Sequence, residues 1–197
     1  APDGTATAAS ILETAVNDFH SLQISSTSQT DLSQSIFVKP RGRDNICLRF
    51  VTTGGDWYTI TFNLTGNGSI TQEIPGSISN WTINSKSIAQ LSNGWYRISA
   101  GATTTAATTY MFSVLGCDSS TPTLAADYGY PRYVGDITKG YYVWGLQVEA
   151  NSFPTSYIPT SGATEYRSQD IVDITGTNFS SWWNSSEGSI VTVAHNF

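Results

Sequence analysis

The side chains best suited to chemistry in this chain are tryptophans, arginines and an amide that two-residue alternation places on one side of successive strands. In 57–64 the apolar set is Tyr58, Ile60, Phe62 and Leu64, so Trp57 shares the opposite face with Thr59, Thr61 and Asn63. In 46–52, Ile46, Leu48 and Phe50 face inward and leave Arg49 opposite. In 95–100, Tyr96 and Ile98 face inward, which groups Trp95 with Arg97 and Ser99. A face carrying Trp57, Trp95, Arg49, Arg97 and Gln147 would suit a glycan: rings stack on pyranose faces, while forks and amides bond hydroxyls. The same rings could instead cap core edges or meet another subunit, since tryptophan and tyrosine also mark protein interfaces. Trp81, beside Ile83, and Trp144, beside Leu146, are expected in the core.

A second aromatic group sits in 118–136, which holds Tyr128, Tyr130, Pro131, Arg132 and Tyr133 without a clear period. A long loop of this kind either recognises a partner, with Tyr130 as a contact, or packs to bury its rings. Catalytic arrangements are thin. The histidines are His20 and His195, and there is neither a G-x-S-x-G elbow nor an H-E-x-x-H pair. Asp56, Asp127, Asp136 and Glu149 show no spacing that would bring two carboxylates to a glycosidic bond. Two scattered cysteines and two histidines argue against zinc. The chain is therefore expected not to be an enzyme. Cys47 and Cys117 are expected as two separate thiols, with a single disulfide as the alternative.

Strands must position these groups. Strand patterns run over 5–14, 19–25, 33–39, 46–52, 57–64, 69–74, 79–85, 87–91, 95–100, 108–115 and 141–149. Turn signals separate them, among them Pro40–Arg43, Gly54-Gly55 and Asn93-Gly94. No segment holds a helical period over three turns. In 141–149, Tyr142, Trp144, Leu146 and Val148 alternate with Tyr141, Val143, Gln147 and Glu149. Pro154 and Pro159 then force an extended path anchored by Phe153, Tyr157 and Ile158, expected to strap the end of the sheet. The pattern predicts an all-β sandwich or barrel.

The chain has 197 residues and a net charge of −6, with 12% charged and 12% aromatic residues. That balance argues against nucleic acid, which needs a basic stripe. No apolar run approaches the roughly 20 residues that cross a bilayer, so membrane insertion is not expected. The opening residues carry no signal-peptide pattern and read as the interior of a longer protein.

The run W-G-x-Q-x-E-x-x-S-F-P-T-S-Y-I-P-T, formed by Trp144, Gly145, Gln147, Glu149 and Ser152–Thr160, resembles a segment common in bacteriophage tail-fibre and other virion proteins. There it ends a jelly-roll module similar to carbohydrate-binding modules. Asn93, Gly94, Trp95, Tyr96 and Arg97 resemble a second run of those modules. The resemblance implies a jelly-roll β-sandwich over residues 1–165. Residues 166–197 would be a C-terminal strand pair, or the stub of a second, concanavalin-like domain, on the likeness of Phe179–Gly188. It also implies a structural calcium ion, for which Asp3, Glu13 and Glu149 are the candidate ligands. The expected function is non-catalytic glycan or receptor binding at a virion surface, or otherwise outside the cell. Cell-surface polysaccharide, other virion proteins and further copies of the chain would be the partners. The alternatives are a structural spacer or oligomerisation module, and an accessory domain of a polysaccharide-degrading enzyme.

Overall fold

A computed structural model describes residues 1–26, 29–76, 80–105 and 110–160, together with 164, 165 and 186. The chain divides into two compact units, Ala1–Pro159 and Thr160–Phe197. Apart from Ser186, the strands and aromatic run expected in 166–197 lie outside the described residues.

The first unit is an all-β sandwich. Its strands are β1 (Ala9–Leu12), β2 (Asn17–Asp18), β3 (Ser21–Ser26), β4 (Asp31–Arg41), β5 (Asn45–Thr52) and β6 (Trp57–Asn63). They continue with β7 (Ser69–Pro75), β8 (Trp81–Gln90), β9 (Tyr96–Thr104), β10 (Tyr110–Cys117), β11 (Tyr133–Val134) and β12 (Gly140–Glu149). One sheet has the order β1-β12-β4-β9-β8, the other β3-β10-β5-β6-β7, and β11 pairs with β2 as a small ribbon. All pairings between these strands are antiparallel. Among the described residues no helix is long and apolar enough to cross a membrane.

Alternation builds the core. Ile46, Leu48 and Phe50 of β5, with Ile60 and Phe62 of β6, meet Leu32, Ile36 and Val38 of β4 and Ile98 of β9. Each such side chain taken out of water contributes about 1.5–3 kcal/mol. Trp81 joins this core as expected, its ring centroid 5.3 Å from Phe50 and 5.2 Å from Tyr110. The Asn93-Gly94 turn forms with φ of 59° and 75°, a conformation these two residue types adopt most readily.

Two departures come from bulges. The register of β12 against β4 shifts between Trp144 and Gln147, at Gly145, whose φ is +58°. One extra residue reverses which side faces the core. Tyr141 and Val143 point inward before the bulge, and Leu146 and Val148 pack on the core after it. Trp144 is therefore not a core residue; it is half-buried on the outer face. A second shift, between Ile83 and Ser85, lets β8 run unbroken where two short strands were expected.

Candidate functional site

The expected glycan face divides between the outer sides of the two sheets; part of each side is covered by another segment of the chain, while Tyr142 on the first sheet stays 37% exposed. On the second sheet, Arg49 and Trp57 do share an outer face, with Thr59, Thr61, Ser113, Leu115 and both cysteines. All of these are buried. The loop 118–136 lies over them. Trp57 Nε1 donates to Ala126 O at 3.2 Å, Thr59 Oγ1 to Gly129 O at 2.6 Å, and Arg49 NH1 to Tyr128 O at 2.6 Å. Gly129, at φ +65°, crosses the indole so closely that a Cβ there would come within 2.0 Å of Trp57 Cε3. Trp57, expected on the surface, is thus only 5% exposed, and Arg49 2%. The physical reason is area: an indole and a long guanidinium stem offer a cover more apolar contact than the small side chains beside them.

Arg49 is a buried cation. Its second amino group donates to Ser113 Oγ at 3.0 Å, while Nε has no hydrogen-bond partner. Among the described residues no carboxylate pairs with it. Burial lowers its pKa to about 10, opposed by Tyr130, whose ring centroid is 5.6 Å from the guanidinium carbon. Tyr130, also expected as a ligand contact, is 7% exposed. It is held by an Arg132 NH2 bond to its hydroxyl at 2.7 Å and by Phe19 at 4.6 Å. Tyr128 stacks parallel to it, 6.2 Å away, and remains 43% exposed. Beneath the loop, Cys47 and Cys117 are unpaired buried thiols. The Cys47 thiol is pushed up by its contact with Cys117 and by burial.

Part of the outer face of the first sheet is covered by residues 150–159, which strap the face rather than the end of the sandwich. Gln147 works as a clip: Ile158 N donates to its Oε1 at 2.8 Å, and its Nε2 reaches Ser156 O at 3.3 Å. Glu149 accepts from Thr155 N at 2.9 Å and Thr155 Oγ1 at 2.6 Å. Arg97 donates to Thr155 O, and to Ser35 Oγ at 3.2 Å. Trp144, Phe37 and Tyr157 close the cover, with Trp144 and Tyr157 at 4.6 Å and Phe37 and Trp144 at 5.3 Å. Gly101 admits the strap because a Cβ there would meet Ser152 O at 2.0 Å. Arg97 and Gln147, expected as sugar contacts, therefore hold the chain to itself. Trp95, at the head of β9, is 5% exposed, as burying its large apolar area favours.

The three candidate calcium ligands do not converge. Asp3 accepts from Thr5 N at 2.9 Å and Thr5 Oγ1 at 2.7 Å in an exposed turn. Glu149 serves the strap. Glu13 is 5% exposed and makes a bidentate ion pair with Arg43, at 2.7 Å and 2.9 Å. Its oxygens also accept from Tyr133 OH at 2.6 Å and Asp136 N at 2.8 Å. Among the described residues no three His, Cys, Asp or Glu side chains come together, so these acids do not form the shared carboxylate cluster the ion would need from them. Burial raises the Glu13 pKa, but the bonds from Arg43, Tyr133 and Asp136 outweigh it and hold the carboxyl below its ordinary value.

Sequence reasoning missed this Glu13–Arg43–Tyr133 knot. Its members are 30 and 120 residues from Glu13, and no local pattern links them. It also missed an adjoining cavity of about 300 Å3 at the sandwich edge, lined by Ile11, Leu22, Val114 and His20 among others. No protein-family model matches the chain, and comparison with curated proteins gives no match.

Proposed function

We propose that the chain is a non-catalytic structural module of a virion surface protein, a jelly-roll-type sandwich that carries and spaces neighbouring parts. The observation behind this reading is that the chain's own loop and strap engage Trp57, Arg49, Arg97 and Gln147 on the two outer faces. The rings and forks that could greet a sugar are thereby engaged internally. The virion setting rests on the resemblance of Trp144–Thr160 and Asn93–Arg97 to tail-fibre modules. Within it, the motif residues Trp144, Gln147, Glu149 and Tyr157 have a mechanical role, which suits a module that must stay closed at a particle surface. Other virion proteins or further copies of the chain are the partners this reading implies.

A second reading keeps host glycan as the ligand and moves the contact to Tyr128. That ring is exposed and lies parallel on Tyr130, which two guanidinium groups hold in place. Glycan-array binding of the full chain, beside Tyr128→Ala, separates the two. The structural reading expects no glycan retained by either protein. Any glycan held by the parent chain overturns it, and loss of that glycan in Tyr128→Ala would establish the second reading.

A further inference from the structure

The edge where β1 ends one sheet and β3 ends the other is open, and the cavity of about 300 Å3 lies there. Ile11, Tyr141 and Val143 wall it from the first sheet, and Leu22, Ile46 and Val114 from the second. All six belong to the core or pack against it, so the cavity prolongs the core into a space no side chain fills. Leu12 and Phe19 line it too, yet are 43% and 38% exposed, which places them at its mouth.

We propose that this cavity is a binding site for a small, neutral, mainly hydrocarbon molecule of one or two fused rings. Volume sets the size: an apolar cavity of about 150 Å3 accepts benzene, and ligand pockets begin near 300 Å3. The polar wall sets the charge. Glu13, Thr14, His20 and Ser21 form it. Both Glu13 oxygens are engaged, and Arg43 offsets the carboxylate. His20 turns Nδ1 to Thr14, 3.4 Å from its Oγ1, and its Nε2 is buried without a hydrogen-bond partner. An ionised ligand would lose its hydration here and meet no free counter-charge. A flat hydrocarbon loses little there and gains contact with the apolar walls.

The test uses 2-naphthol and its anionic counterpart 2-naphthoate, titrated into the full chain and followed by methyl-detected NMR. The expected result is saturable one-to-one binding of 2-naphthol, with shifts confined to Ile11, Leu12, Leu22, Val114 and Val143. Naphthoate should bind at least about tenfold more weakly. Leu22→Trp fills the cavity from an edge strand and should weaken 2-naphthol by about tenfold or more. Should that variant fail to fold, Leu12→Asp changes only the exposed mouth and should weaken 2-naphthol less than naphthoate. Shifts scattered over the surface, equal affinity for the two probes, or unchanged affinity in a folded variant would each overturn the proposal. So would sedimentation showing that a second copy of the chain already closes the mouth. Glycan-array results do not bear on any of these outcomes.

Discussion

Glu13 and Arg49 handle a buried charge in opposite ways. Glu13 has a guanidinium partner and two further donors, so its carboxylate is more stable folded than unfolded. A carboxyl with a lowered folded pKa contributes its full stability above the unfolded value and loses it as pH falls through the folded one. Unfolded Glu13 titrates at its ordinary value of 4.5, so the loss begins there and continues toward lower pH. Glu13→Gln should therefore cost about 3 kcal/mol at neutral pH, because it leaves Arg43 without its partner. The gap from the parent protein should shrink below that value in urea melts run across pH. Arg49 has no such partner, and removing an uncompensated buried cation relieves its desolvation. Arg49→Met should cost less than about 1 kcal/mol, the lost bonds to Tyr128 and Ser113 being offset by that relief. The two variants compared in one denaturant series give the check: equal losses would sink the distinction. The alternation around Arg49 was legible in the sequence. The fate of its charge was not, since the carbonyl it meets lies 79 residues away.

The two covers behave as separate elements on a common sandwich. In the strap, a few side chains hold an extended segment that has no ladder of its own. Glu149→Ala removes the acceptor for Thr155 N and Oγ1 and should cost about 1–3 kcal/mol. Hydrogen exchange should rise in 150–159 while the ladder between β4 and β9 stays protected; uniform loss of protection would contradict a detachable strap. In the loop, Gly129 lets the backbone lie on Trp57. Gly129→Ala puts a methyl where the indole stands and imposes φ +65° on a residue that resists it. It should lift the loop and red-shift tryptophan emission; an unchanged spectrum with unchanged melting would refute the close approach. The prolines around the strap and the tyrosines of the loop were visible in the sequence as elements. Which face each would lie on was not, because a loop carries no period that names its partner.

At the scale of the sandwich unit, Ala1–Pro159, the loop shields part of the second sheet from solvent. The thiols report on this. Cys47 and Cys117 are 0% exposed beneath the loop. Both should resist a soluble disulfide reagent in the native state and react together, two per chain, once the protein is unfolded in denaturant. One fast thiol under native conditions would mean that the loop opens alone.

The sequence by itself determined where most of the strands run and, away from the bulges, which of their sides are oily. Tyr58, Ile60, Phe62 and Leu64 face the core or pack on it, as do Ile46, Leu48 and Phe50, because a pleated chain sends alternate side chains to opposite faces. It could not determine what lies beyond the second face. Period two separates inside from outside for a strand in isolation; whether that outside meets water or another segment depends on chain tens of residues away. The tertiary structure decided it by laying a loop on one sheet and a strap on the other. A one-residue bulge at Gly145 then turned Trp144, Gln147 and Glu149 together toward the strap.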